Sequence, residues 1–171
     1  MEQPVEIVNR VAKSGLVQLD MADFFPTNDI IEYDIAQNLW QGIALKEKDF
    51  REFIKSNDWT KYKGLHVGLT CSVDAIIPSW AYMLLSSALQ DCALSVHFGT
   101  KSEVEQLLLL ESIQSINAEE YHDTRIVIKG CGDKHVSESA WVTITSVLQP
   151  VAKSLMFGEP CSTVPVFKKA K

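Results

Sequence analysis

The spacing of apolar residues changes several times along this chain, and each change predicts an element. Val5, Val8 and Val11 recur at near-helical intervals between Pro4 and Gly15, which predicts a short amphipathic helix over residues 4–13. Leu16–Asp20 alternates as a strand, and residues 24–29 are turn-rich. Two β-prone runs, residues 30–35 and 39–45, flank Ala36-Gln37-Asn38 and predict a hairpin, so the N-terminal third is expected to be antiparallel.

From Lys46 onward the pattern alternates between strand and helix. Residues 46–56 place Phe50, Phe53 and Ile54 on one side of a charged helix. Residues 65–71 form a strand with Leu65, Val67, Leu69 and Cys71 on one face. Pro78 opens a helix to Gln90 that is apolar over most of its surface and is expected to be deeply packed. Residues 94–98 form a strand, and Thr100 with Glu103 forms a capping box for a helix ending near Ile116. Arg125–Lys129 carries the continuous apolar centre Ile126-Val127-Ile128 of a strand covered on both faces. A last helix is expected over residues 137–157, with Trp141, Ile144, Leu148, Val151 and Leu155 as its buried stripe and a kink at Pro150. Residues 163–167 add an edge strand, because Pro165 lacks a donor.

This order predicts an α/β or α+β fold: a mixed sheet with an N-terminal antiparallel hairpin and C-terminal strand–helix units, helices packed on the sheet. Residues 1–171 are read as a single domain, without linker, low-complexity stretch or internal repeat.

Charge narrows the partners. Sixteen basic and twenty-two acidic side chains give a net charge of -6, and only the tail Lys168-Lys169-Ala170-Lys171 clusters cations, which argues against nucleic acid and anionic membrane. No apolar run is long enough to span a bilayer and the N-terminus lacks a signal core, so a soluble, cytoplasmic protein is expected. In that reducing compartment the four cysteines are free thiols, ligands or nucleophiles rather than a disulfide framework.

Three of those cysteines stand in turn-forming settings: Thr70-Cys71-Ser72, Gly130-Cys131-Gly132 and Pro160-Cys161-Ser162. Loops at strand and helix ends can aim such side chains into a shared crevice. Three thiolates would suit zinc or an iron–sulfur cluster, with Asp74 or His135 completing the shell. Alternatively Cys131 is the nucleophile of a thiol enzyme or sulfur carrier, assisted by a helix terminus and Lys134. The ordinary reading of each residue is structural: buried cysteines pack as small hydrophobes, Asp74 and Asp133 cap helices, and turn histidines and lysines are solvated. A third reading is therefore an interaction module with packed cysteines, forming a homodimer through a sheet edge or the region of Trp59. Trp40, Trp80 and Trp141 are expected as core anchors.

Four stretches together resemble a bacterial family known as domain of unknown function 2480. They are Cys71-Ser72-Val73-Asp74-Ala75-Ile76-Ile77-Pro78-Ser79-Trp80-Ala81-Tyr82, Lys129-Gly130-Cys131-Gly132-Asp133-Lys134, residues 158–165, and residues 45–54. The resemblance covers nearly the whole chain. It carries over Cys71, Asp74, Cys131, Asp133, Lys134, Glu159 and Cys161. It implies an accessory role beside iron–sulfur assembly proteins. The chain departs from the family pattern at His135 and Ser137, where the pattern has prolines, which weakens His135 as a shared ligand.

Overall fold

A computed structural model describes residues 15–130 and 132–170. The helix expected over residues 4–13 lies outside the described residues, as does Cys131. In chain order the elements are β1 (Leu16–Asp20), β2 (Ile30–Asp34), α1 (Glu47–Ser56), β3 (His66–Thr70), α2 (Ser79–Leu89), β4 (Ser95–Phe98), α3 (Lys101–Gln114), β5 (Arg125–Lys129), α4 (Glu138–Leu148), β6 (Ser154–Glu159) and β7 (Ser162–Lys168). They divide into two compact units. Pro26–Leu108 is an inserted unit, and it interrupts in sequence a split unit made of Met1–Phe25 and Leu109–Lys171.

The inserted unit carries an all-parallel sheet in the order β2-β3-β4, with Ile30 opposite His66 and His66 opposite Ser95. Its core gathers Val67 and Leu69 of β3 with Ala81, Leu85 and Leu89 of α2. Around them lies an aromatic cluster of Tyr33, Phe50, Phe53, Trp59, Tyr62 and Trp80. Trp59 belongs to this cluster, its indole N–H donating to the Ile54 carbonyl (2.9 Å). The split unit carries the order β1-β5-β6-β7, parallel except for β7, which turns back antiparallel beside β6. Ile126, Ile128 and Leu155 of its sheet pack with Ile144 and Leu148 of α4 and with Leu109 and Ile113 of α3.

The α/β class and a mixed sheet are therefore present, but the N-terminal hairpin is not. Residues 30–35 and 39–45 do not pair: β2 lies parallel to β3, and β1 lies parallel to β5 in the other sheet. The cause is local. The Asp34 carboxylate accepts the Ala36 N–H (2.9 Å) and turns the chain into a 3-10 helix, Ile35–Asn38, where a strand was expected to continue. Beyond it only the single bridge Trp40–Ala44 forms, and Trp40, expected in the core, is 47% exposed beneath the Lys46 ammonium. The antiparallel hairpin is instead β6–β7, closed by the two-residue turn Pro160-Cys161.

The last helix also stops early. It ends at Leu148, and Pro150 terminates it rather than kinking it. Leu155, expected on the helix stripe, sits in β6 at 1% exposure. A spacing of seven from Leu148 fits a helix as well as it fits a core strand beyond a tight turn.

The two units repeat one another, contrary to the sequence reading. Residues 66–98 match residues 125–157 without insertion, so that β3, α2 and β4 begin where β5, α4 and β6 begin. Several loop bonds coincide. Gly64 N–H donates to Cys92 O as Asp123 N–H does to Val151 O, and Leu94 N–H donates to Leu65 O as Lys153 N–H does to Thr124 O. Gly64 and Asp123 both take positive φ, 74° and 52°, and Gly99 and Gly158 do so at 134° and 119°. At the front of each unit Asp34 accepts from Ala36 N–H and Asp20 accepts from Ala22 N–H, each bond 2.9 Å. Identity along the aligned stretch is sparse, as in Asp74/Asp133, Ala81/Ala140, Leu89/Leu148, Ser95/Ser154 and Phe98/Phe157, which is why the repeat is faint in sequence.

Candidate binding groove

Each unit has a groove between the outer edge of its third parallel strand and the helix before it. In the inserted unit Leu69, Tyr82, Ser86, Val96, His97 and Phe98 line it. In the split unit the matching residues line it, in the same order: Ile128, Trp141, Thr145, Leu155, Met156 and Phe157. The aromatic pair at the rim is conserved in geometry. Tyr82 meets Phe98 edge-on at 5.6 Å and 88°, and Trp141 meets Phe157 edge-on at 5.3 Å and 86°.

What differs is the side beyond the strand. In the split unit β7 runs along β6, and the register shifts between Leu155 and Met156, leaving Val166 as the bulged residue between Pro165 and Phe167. A bulge re-aims a side chain, and Val166 lines the groove, which measures about 350 Å3. In the inserted unit β4 is the outermost strand, with no neighbour beyond it among the described residues, and the groove measures about 760 Å3. Met83 and Phe98 stand 71% and 72% exposed there, and Leu94 just before β4 is 52% exposed. Gly99 N–H donates to Leu69 O on the β3 side (3.0 Å), and with Ser95 opposite His66 and His97 opposite Gly68 the alternation turns the backbone N–H and C=O of Ser95 and His97 to β3 and those of Val96 and Phe98 to the open edge. On the side-chain level Ser95 Oγ lies 2.7 Å from His66 Nδ1 and 2.8 Å from His97 Nε2, which holds both imidazoles in place on the sheet.

The residues singled out from sequence do not build a metal centre. Among the described residues no group of three or more His, Cys, Asp or Glu side chains could hold a metal ion. Cys71, Cys92 and Cys161 are free. Cys71 is half-buried against the inserted-unit core, and its thiol donates to the Val73 carbonyl (3.3 Å). Cys161 is exposed in the β6–β7 turn, not beside a helix end. Asp74 and His135 are exposed, and the N-cap positions of α2 and α4 belong to Pro78 and Ser137, so Asp74 and Asp133 cap neither helix. Lys134 places its ammonium over the Phe25 ring at 4.6 Å. The zinc or iron–sulfur site on Cys71, Cys131, Cys161, Asp74 and His135, the thiol chemistry built on the same loops, and the metal-linked cofactors are accordingly set aside. Cys92, half-buried and donating to Trp59 O (3.2 Å), is structural.

The groove is hard to see in the sequence because α2 is apolar on nearly every side, a pattern that equally fits a deeply packed helix. A chain this short cannot cover such a helix completely, and that surplus of apolar surface was the available signal.

Two sparsely identical copies of one α/β unit, the inserted copy open at an edge that β7 covers in the split copy, define the class of this protein. The chain belongs to the family described as protein of unknown function DUF2480, which matches residues 5–169. No curated protein matches it, and no solved structure matches it. No helix among the described residues is long and apolar enough to cross a membrane.

Proposed function

We propose that this protein acts by binding a polypeptide in extended form, added as an antiparallel strand along β4 with its side chains in the adjoining groove. One observation carries the reading: the same groove in the split unit is already flanked by an antiparallel strand, β7, whose Val166 lines it. Strand addition draws affinity from main-chain hydrogen bonds and selectivity from pockets for alternate side chains. Val96 and Phe98 supply the backbone groups, and their side chains with Tyr82 and Met83 supply the pocket. An apolar or β-branched side chain is the expected anchor, because Val166 holds that place in the repeat.

The test is a titration of the intact protein with a synthetic peptide copying Ser162–Lys168, followed by amide NMR. Shifts concentrated at Ser95, Val96, His97 and Phe98, and lost in Phe98→Lys, support strand addition. Shifts confined to other parts of the chain, or none at saturating peptide, contradict it.

A further inference from the structure

We infer that the strand received by β4 is β4 of a second copy of this chain, paired about a two-fold axis. The inference rests on the strand-addition reading above and names its partner. Two copies of one strand related by a two-fold axis normal to the sheet are antiparallel, which is the sense in which β7 meets β6. The product is a continuous six-stranded sheet across two inserted units.

The strand chemistry singles out this edge. Exposed sheet edges are usually blunted with charge or proline. β7 carries Pro165 and Lys168, β2 carries Glu32 and Asp34, and β1 carries Asp20. β4, Ser95-Val96-His97-Phe98, carries neither proline nor an acidic or basic chain of fixed charge. Nothing along it repels its own image.

Register follows from the alternation of backbone groups. Ser95 and His97 face β3 with their N–H and C=O, whereas Val96 and Phe98 face outward, so a two-fold axis through Val96 makes the two copies of Val96 a hydrogen-bonded pair and sets Ser95 of each copy opposite His97 of the other. The same axis sets Leu94 of each copy opposite Phe98 of the other, on the groove face. These are the exposed apolar residues at the two ends of the strand, and the pairing covers both at once. A chain with a net charge of -6 brings its copies together here through an uncharged strip.

Sedimentation velocity of the full chain across the micromolar range tests this. A reversible dimer is expected. Val96→Pro removes only an outward N–H, a substitution that edge strands tolerate, and Leu94→Lys with Phe98→Lys places like charges across the axis; each is expected to weaken the dimer about tenfold or more. A wild-type protein that stays monomeric overturns the inference, as does a dimer unaffected by both variants. Should either variant unfold, Val96→Cys decides: under mild oxidation it is expected to give a disulfide between the two copies at position 96, since hydrogen-bonded pairs stand about 5.5 Å apart at Cα, within reach of a disulfide. Dimers crosslinked only through other cysteines contradict it. A monomeric wild type whose Val96 and Phe98 amides still shift with the Ser162–Lys168 peptide leaves strand addition standing and removes only the second copy as partner.

Discussion

The indole of Trp141 lies against the backbone of Gly130 so closely that a β-carbon at Gly130 would overlap its Cη2 and Cζ2 atoms. At the matching positions of the inserted unit stand Tyr82 and Cys71. The larger ring goes with glycine, and the smaller ring leaves room for a thiol. This gives Gly130 a packing role.

Gly130→Ala is therefore expected to destabilise the protein by about 1–3 kcal/mol through overpacking. Pairing Gly130→Cys with Trp141→Tyr, which installs the inserted unit's combination, should recover at least about 1 kcal/mol relative to the sum of the single changes. A double-mutant cycle by urea unfolding reads this coupling. Simple additivity would show that the two positions are not exchangeable between the units.

Gly158 holds φ at 119°, and a β-carbon there would press on the Ser162 carbonyl. Gly158→Ala should cost roughly 1–3 kcal/mol and raise amide exchange along β7 more than along β5. Equal changes in both strands would place the strain elsewhere than in the β6–β7 hairpin.

Asp34 joins two segments, accepting from Ala36 N–H and from the Ser72 N–H (3.0 Å) and hydroxyl. The Ser72 hydroxyl foremost, aided by the two N–H groups and opposed by burial, holds its carboxyl below the usual carboxylate range. A folded-state pKa lowered in this way stabilises the fold above the unfolded carboxylate value, and the contribution is lost as pH falls through the folded value. Asp34→Ala should cost about 1 kcal/mol at neutral pH, as the loss of a cap does. The gap to wild type should narrow as pH drops below about 4. Unfolding midpoints measured from pH 7 to pH 3 check this, and a gap that widens in acid contradicts it.

The cysteines should separate by their surroundings. Cys161→Ser, in an exposed turn, is expected to leave stability within about 0.5 kcal/mol of wild type. Cys92→Ala removes a half-buried sulfur packed on the core and should cost about 1 kcal/mol. Thermal unfolding of the two variants distinguishes them, and the reverse order would contradict this placement.

Much of the secondary structure was readable because local signals agreed with the final packing. Leu16–Asp20 and Arg125–Lys129 are strands at the expected bounds, and Thr100 and Glu103 form the expected capping box, Thr100 N–H donating to the Glu103 carboxylate at 2.7 Å. Pairing partners were not readable. β1 meets β5 across the whole inserted unit, and neither strand's pattern records that separation. The candidate site misled for a related reason. The Cys71 and Cys131 loops look alike because they follow corresponding strands of a repeat, and a repeat makes two settings alike without requiring their side chains to meet. The groove was legible only as an excess of apolar residues in α2, and its open side depends on β7, an element present in one copy alone.

Amide hydrogen exchange at Val96 and Phe98, measured on the intact chain as its concentration is raised, tests the central claim most directly. The account predicts fast exchange in dilute protein and protection that grows with concentration, while the amides of β6 stay protected by β7 throughout. Full protection of Val96 and Phe98 in dilute protein would show that the β4 edge is covered within a single chain, and an absence of protection at every concentration would show that it receives no second copy.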